Sequence, residues 1–164
     1  MINFIKVSTI PQFGIIETLA KEIWTEHYTS IIGSEQVGYM LNKFQSMAAV
    51  EAQIVDGYEY FIIDVKGANI GYLSVRKENK SLFLSKIYLL SSSRGQGFGK
   101  EALLFVESHA KSYGLDKIRL TVNKNNTGSI KVYVNIGFFQ VDAVVMDIGG
   151  GYVMDDYVFE KLIG

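Results

Sequence analysis

The stretch Ile87-Tyr88-Leu89-Leu90-Ser91-Ser92-Ser93-Arg94-Gly95-Gln96-Gly97-Phe98-Gly99-Lys100 constrains this chain more than any other. An apolar run with strand character stops at a polar loop, and an amphipathic helical pattern starts directly after it. Gly95, Gly97 and Gly99 alternate through the loop. Without Cβ atoms, a backbone can fold so that several N–H groups converge on one small volume. The unpaired N–H groups and the positive dipole end of the following helix add to the same field. Together these make an anion site, most simply for a phosphate or diphosphate.

Two common phosphate patterns do not account for it. With Gly99-Lys100 as the Gly-Lys pair of a P-loop, the first glycine would fall at Arg94 and a Ser or Thr at Glu101. Gly97 to Ala102 spells the dinucleotide pattern GxGxxA, but no acidic residue ends the next apolar run, Lys117 to Val122, where a ribose-binding carboxylate belongs. Other classes fall to composition. There are 16 basic and 17 acidic residues, so the basic surplus of a nucleic-acid binder is missing. There is no cysteine and there are only two histidines, which excludes disulfides, thiolate zinc sites and cysteine nucleophiles and leaves no expected metal site. No apolar run approaches the ~20 residues of a membrane span, and no basic-then-apolar secretory leader opens the sequence. The expectation is a cytoplasmic protein with neither nucleic-acid nor membrane partner.

Read in order, residues 2–7 form a short apolar strand, and Ser8-Thr9-Ile10-Pro11 starts a helix. Ile16, Leu19, Ala20, Ile23, Trp24, His27, Tyr28 and Ile31 keep helical spacing as far as Gly33. Ser34 and Ser46 can cap two further helices, the second running from Met47 to Val55. Then the period changes. Tyr58 to Val65, Ile70 to Lys77 and Ser81 to Leu90 read as three antiparallel strands, the last feeding the glycine loop. A helix stopped by Gly114, a strand from Lys117 to Val122, a short helix from Asn126 to Ile136 and a final hairpin around Gly149-Gly150-Gly151 complete the chain. The strand–helix–strand crossover predicts one parallel pair. No repeat, linker or charge run divides residues 1–164, so one domain is expected.

Arg94-Gly95-Gln96-Gly97-Phe98-Gly99, read as Arg-x-x-Gly-x-Gly, resembles the acyl-CoA diphosphate loop of the GNAT superfamily of N-acetyltransferases. Downstream, Asn126-Thr127-Gly128-Ser129-Ile130-Lys131-Val132-Tyr133-Val134-Asn135-Ile136-Gly137-Phe138 resembles that family's second segment, and the element order is the family's. The resemblance implies an α/β (α+β) fold: a mixed, mostly antiparallel sheet of about seven strands, splayed after the fourth and flanked by helices. It implies acetyl-CoA as cofactor, its pantetheine arm paired with backbone at Ile87, Tyr88 and Leu89 and its diphosphate held by N–H groups from Arg94 through Gly95, Gln96, Gly97, Phe98 and Gly99 to Lys100. Lys100 either contacts phosphate or extends into solvent. Asn126 and Ser129 would also reach the cofactor, and Tyr133 would protonate the departing thiolate. A phenol of pKa about 10 can serve a thiol of pKa about 8.5.

The amine acceptor would lie between the first two helices and the last hairpin, against Trp24, His27, Tyr28, Ile31, Tyr39 and Tyr152. An aromatic wall favours a cationic amine, and Asp155 and Asp156 could supply charge, although adjacent strand residues face opposite ways. Many relatives carry a basic Glu on the strand before the loop. Leu82-Phe83-Leu84-Ser85-Lys86 has no carboxylate, which leaves Glu59, Glu35, His27, Asp155 or a water chain as proton acceptor. The region from Ile23-Trp24 through Tyr39-Met40-Leu41 resembles bacterial polyamine and small-amine acetyltransferases. The expected activity is acetyl transfer to a primary amine of a small molecule, polyamines included, by direct attack in a ternary complex. The alternatives are acetylation of a protein N-terminus or lysine, and a non-catalytic CoA-binding module. Apolar positions in the last hairpin allow a homodimer.

Overall fold

Strand alternation and helix spacing in this sequence sort the apolar residues onto two faces of one sheet. The computed structural model describes all of residues 1–164. In order the elements are β1 (Ile2–Lys6), α1 (Ile10–Ile32), α2 (Ser34–Phe44), α3 (Met47–Val55), β2 (Tyr58–Val65), β3 (Ala68–Lys77), β4 (Leu82–Leu89), α4 (Phe98–Ser112), β5 (Lys117–Asn123), α5 (Thr127–Asn135), β6 (Phe139–Gly149) and β7 (Tyr152–Leu162). The sheet has seven strands in the order β1-β2-β3-β4-β5-β7-β6. All pairs are antiparallel except β4–β5. This is the fold class the sequence implied.

Strands β2 and β3 are buried on both faces, as near-continuous apolar runs must be. Tyr60, Ile62 and Tyr72 face α1, α2 and α3, where Ile16, Ile23, Trp24, Met40 and Val50 meet them. Phe61, Ile63 and Leu73 face α4, which presents Ala102, Val106 and Ala110. Small residues at i, i+4 and i+8 let α4 lie close on the sheet. Phe105 stacks on Phe4 at 4.2 Å. Glu59 accepts hydrogen bonds from His109 Nε2 at 3.0 Å and from the Tyr113 hydroxyl at 2.7 Å. With its C-terminal end pinned in this way, the N-terminus of α4 is fixed against the end of β4.

Helix starts partly follow the sequence reading. Ser46 Oγ accepts from the Ala49 N–H at 3.2 Å and caps α3. Ser34 does not cap α2: it is the first helical residue, and Gly33, at φ +87°, holds the cap position. Asn126 takes the cap position of α5 without a side-chain cap bond; its amide is engaged elsewhere.

The sheet is defective at its centre. Between Val75↔Leu84 and Ser74↔Lys86 the β3–β4 register slips, leaving Ser85 as a bulge. A bulge bends and twists its strand. On the other edge, β5 pairs with β4 only at Leu82↔Ile118 and Phe83↔Arg119, then turns away and stays laddered to β7 as far as Asn123↔Asp156. Residues 85–89 therefore sit in the fourth of seven strands without being fully buried.

Candidate functional site: a cleft where two strands part

The parting of β4 and β5 opens a cavity of about 480 Å³. Its floor is β4 from Leu84 to Leu89 and β5 from Leu120 to Asn123. Leu90 N–H donates to Ile70 O across the β3–β4 ladder at 2.8 Å. Alternation along the strand then turns the backbone groups of Tyr88 toward β3 and those of Ile87 and Leu89 toward the gap. Of the three positions expected to offer backbone groups, Tyr88 instead offers its side chain. Its ring packs against Tyr72 at 5.5 Å and Trp24 at 5.6 Å.

At the end of β4, Gly95 (φ +75°) and Gly97 (φ +86°) adopt conformations that favour glycine, and Gly97 caps α4. Gly99 is helical and serves differently: a Cβ there would lie 3.7 Å from Leu89 Cδ1. Arg94 folds back and donates from Nε and Nη2 to Leu89 O at 3.2 and 3.0 Å. Arg94, Gly99 and Lys100 line the cavity; Gln96 bonds Ser92 O within the loop, and Phe98 packs on the core.

Helix α5 supplies Ser129 and Tyr133, one turn apart, to the same wall. Burial raises the Tyr133 hydroxyl well above the ordinary tyrosine value and keeps it protonated. Asn126 lines the same cavity, and its amide is bonded to α1. Its Oδ1 accepts from His27 Nε2 at 3.3 Å, and its Nδ2 donates to the Tyr28 hydroxyl at 3.4 Å, so it ties the start of α5 to α1. Burial lowers the His27 pKa; the Asn126 bond opposes this, and the Arg94 charge adds to the lowering. His27 is accordingly neutral near pH 7.

The opposite wall comes from α1, α2 and β7: Trp24, His27, Tyr28, Ile32, Gln36, Met40, Val153, Met154 and Asp156. Gln36 Nε2 donates to Val153 O at 3.0 Å and joins α2 to β7. Ile31, Tyr39 and Tyr152 are not part of this wall. Tyr39 and Tyr152 pack on each other at 5.1 Å, and the Tyr39 hydroxyl donates to Ile148 O at 2.7 Å, so the pair pins the glycine turn to α2.

Of the carboxylates considered as proton acceptors, Glu59 is engaged by His109, Tyr113 and Lys6 away from the cavity. Glu35 is exposed and Asp155 pairs with Lys124. Asp156 is the one carboxylate in the cavity wall, and it is only 5% exposed. Burial, with the neighbouring Asp155 charge, pushes it up to about 6, against a smaller opposing effect from Thr121. Lys86, on the bulged strand, also faces the cavity; burial brings it down to about 7. Its Nζ donates to Gln53 Oε1 at 2.9 Å.

Neither group stands out by residue type. Tyr157 and Phe159 share one face of β7, so alternation puts Asp156 on the other face with Met154. The missing information was which face lines a cavity. Gly71 carries no local sequence signal for its role: a Cβ there would meet Tyr88 O at 2.1 Å, so β3 approaches β4 only because this residue is glycine.

The comparisons with known proteins agree with this geometry. The mycothiol acetyltransferase of Thermobispora bispora is 26% identical over 94 residues, 53% of this chain. An uncharacterised N-acetyltransferase of Bacillus subtilis, YycN, is 30% identical over 80 residues, 46% of this chain. The aligned stretches span 32% and 51% of those two proteins' own lengths. Among solved structures, the PaiA N-acetyltransferase of Thermoplasma acidophilum in complex with coenzyme A superposes with a TM-score of 0.84 at 22% identity, covering 99% of both chains. Residues 18–138, which hold the gap, the glycine loop and the α5 wall, match the acetyltransferase (GNAT) family. A match over that much of its length means that this chain belongs to the GNAT family of acetyltransferases.

Proposed function

We propose that the chain is an acetyl-CoA-dependent N-acetyltransferase that acylates a primary amine of a small molecule while both substrates are bound. The observation that carries this reading is the pair of β4 residues, Ile87 and Leu89, whose backbone groups turn toward a gap instead of a strand. Leu89 O is met by Arg94, and the remaining backbone groups so placed need partners. An amide-bearing pantetheine arm fits them, and the loop from Gly95 to Lys100 fits a diphosphate by its N–H groups and the start of α4. Arg94 and Lys100 would add charge there. When bound, acetyl-CoA supplies an activated acetyl thioester.

The protein's own residues have three tasks. Ile87, Leu89 and the glycine loop hold the donor in line. Tyr133 keeps a proton on its hydroxyl, available to a leaving sulfur. The α1, α2 and β7 wall orients the amine and excludes water; the Gln36–Val153 bond makes it a chamber suited to a small molecule more than to a protein chain. PaiA supports the donor assignment, since that relative holds coenzyme A. The test is thiol release from acetyl-CoA over a panel of monoamines, polyamines, amino acids and peptides, with calorimetry of coenzyme A. Thiol release that requires an amine supports the reading. No coenzyme A binding, or no amine dependence, overturns it.

A further inference from the structure

Resting on the acetyl-transfer reading, we propose that Asp156 binds the acceptor's ammonium and takes its proton, and that the acceptor is an amine with a single positive charge and an apolar body. Asp156 pairs in register with Asn123 of β5 and Val144 of β6, at the point where β5 has left β4. It shares the α1 face of β7 with Met154 and lines the same cavity as Tyr133. A carboxylate 5% exposed is costly to keep ionised without a cation. No side chain forms an ion pair with it: Lys124, the nearest in sequence, pairs with Asp155. An incoming ammonium is the partner this geometry lacks.

The rest of the wall limits that partner. The cavity that Asp156 enters is also lined by Tyr28 and His27 from α1, Lys86 and Tyr88 from β4, Tyr133 from α5, and Arg94 and Lys100 at the loop. Asp156 is the one carboxylate in a cavity that Arg94 and Lys100 also line, so a second or third ammonium, as in a polyamine, would find repulsion and no further anion. Ile32, Met40, Val153 and Met154, with the rings of Trp24 and Tyr28, offer instead an apolar lining. The step is a single proton transfer: one proton moves from the bound ammonium to an Asp156 carboxylate oxygen, leaving a neutral amine with its lone pair free. The raised pKa suits an acceptor of that proton.

The test compares 2-phenylethylamine, isoamylamine and spermidine on the wild-type chain and on Asp156→Asn. With coenzyme A present as a non-donating companion, calorimetry should show phenylethylamine binding at least tenfold weaker in the variant, while coenzyme A affinity changes less than twofold. With acetyl-CoA, the monoamines should exceed spermidine at least tenfold in kcat/KM. Asp156→Asn should lose at least a hundredfold and lose the ascending limb near pH 6. Equal amine binding by the variant, or preference for spermidine, overturns the proposal while thiol release still upholds acetyl transfer. No thiol release with any amine overturns both.

Discussion

Asp156→Asn should make the protein more stable while disabling it. The carboxyl has an ordinary pKa of 3.8 and is raised to about 6 in the fold by burial and the Asp155 charge. A raised carboxylate pKa contributes stability that is present below the unfolded value and lost as pH climbs through the folded one. The difference of roughly two units, at 1.36 kcal/mol each, puts the loss at about 3 kcal/mol above pH 7. At pH 5, part-way through the window, the same arithmetic gives about 1.5 kcal/mol. An isosteric amide carries no such penalty. Urea unfolding of both proteins at pH 5 and pH 8 should show the variant more stable at both, by about twice as much at the higher pH. A variant less stable than wild type at pH 8, or an advantage independent of pH, would refute the reasoning: Asp156 would then be a paired structural carboxylate.

Three further predictions follow from the geometry. Tyr133→Phe should lower kcat about a hundredfold with coenzyme A affinity unchanged, by thiol release and calorimetry; full turnover would remove the hydroxyl from the chemistry. Gly71→Ala would put a Cβ 2.1 Å from Tyr88 O, so thermal unfolding should show a loss of about 3 kcal/mol or more as β4 is forced away. Glu59 is raised by burial but held below its usual value by hydrogen bonds from His109 and Tyr113, the His109 charge and Lys6. Its contribution is therefore present above the unfolded pKa and lost as pH falls through the folded one. Glu59→Gln should cost about 1 kcal/mol at pH 7, allowing for screening, with the deficit shrinking toward pH 4.

Much of the fold was legible because its signals are local. The apolar runs of β2 and β7 and the Ser46 start of α3 mark their own ends, and the crossover through α4 implies a parallel β4–β5 pair. The glycine loop was legible for the same reason: Gly95 and Gly97 take the positive φ values that their residue type suggests. What escaped depends on contacts between distant elements. Asn126 looks like a helix cap by position, yet its amide reaches His27 and Tyr28 about a hundred residues earlier. Tyr152 looks like an acceptor residue by type, yet Tyr39 draws it to the hairpin turn. Asp155 and Asp156 face opposite ways by strand alternation, but only the assembled fold shows that the second lines the cavity while the first pairs with Lys124.

Backbone hydrogen exchange, resolved by residue with and without saturating coenzyme A, tests most directly whether the donor lies between the parted strands. The amides of Ile87, Leu89 and the loop from Gly95 to Lys100 should slow markedly, while that of Leu90, already bonded to Ile70, should not change. Protection confined to another surface, with Ile87 and Leu89 exchanging as before, would contradict that placement.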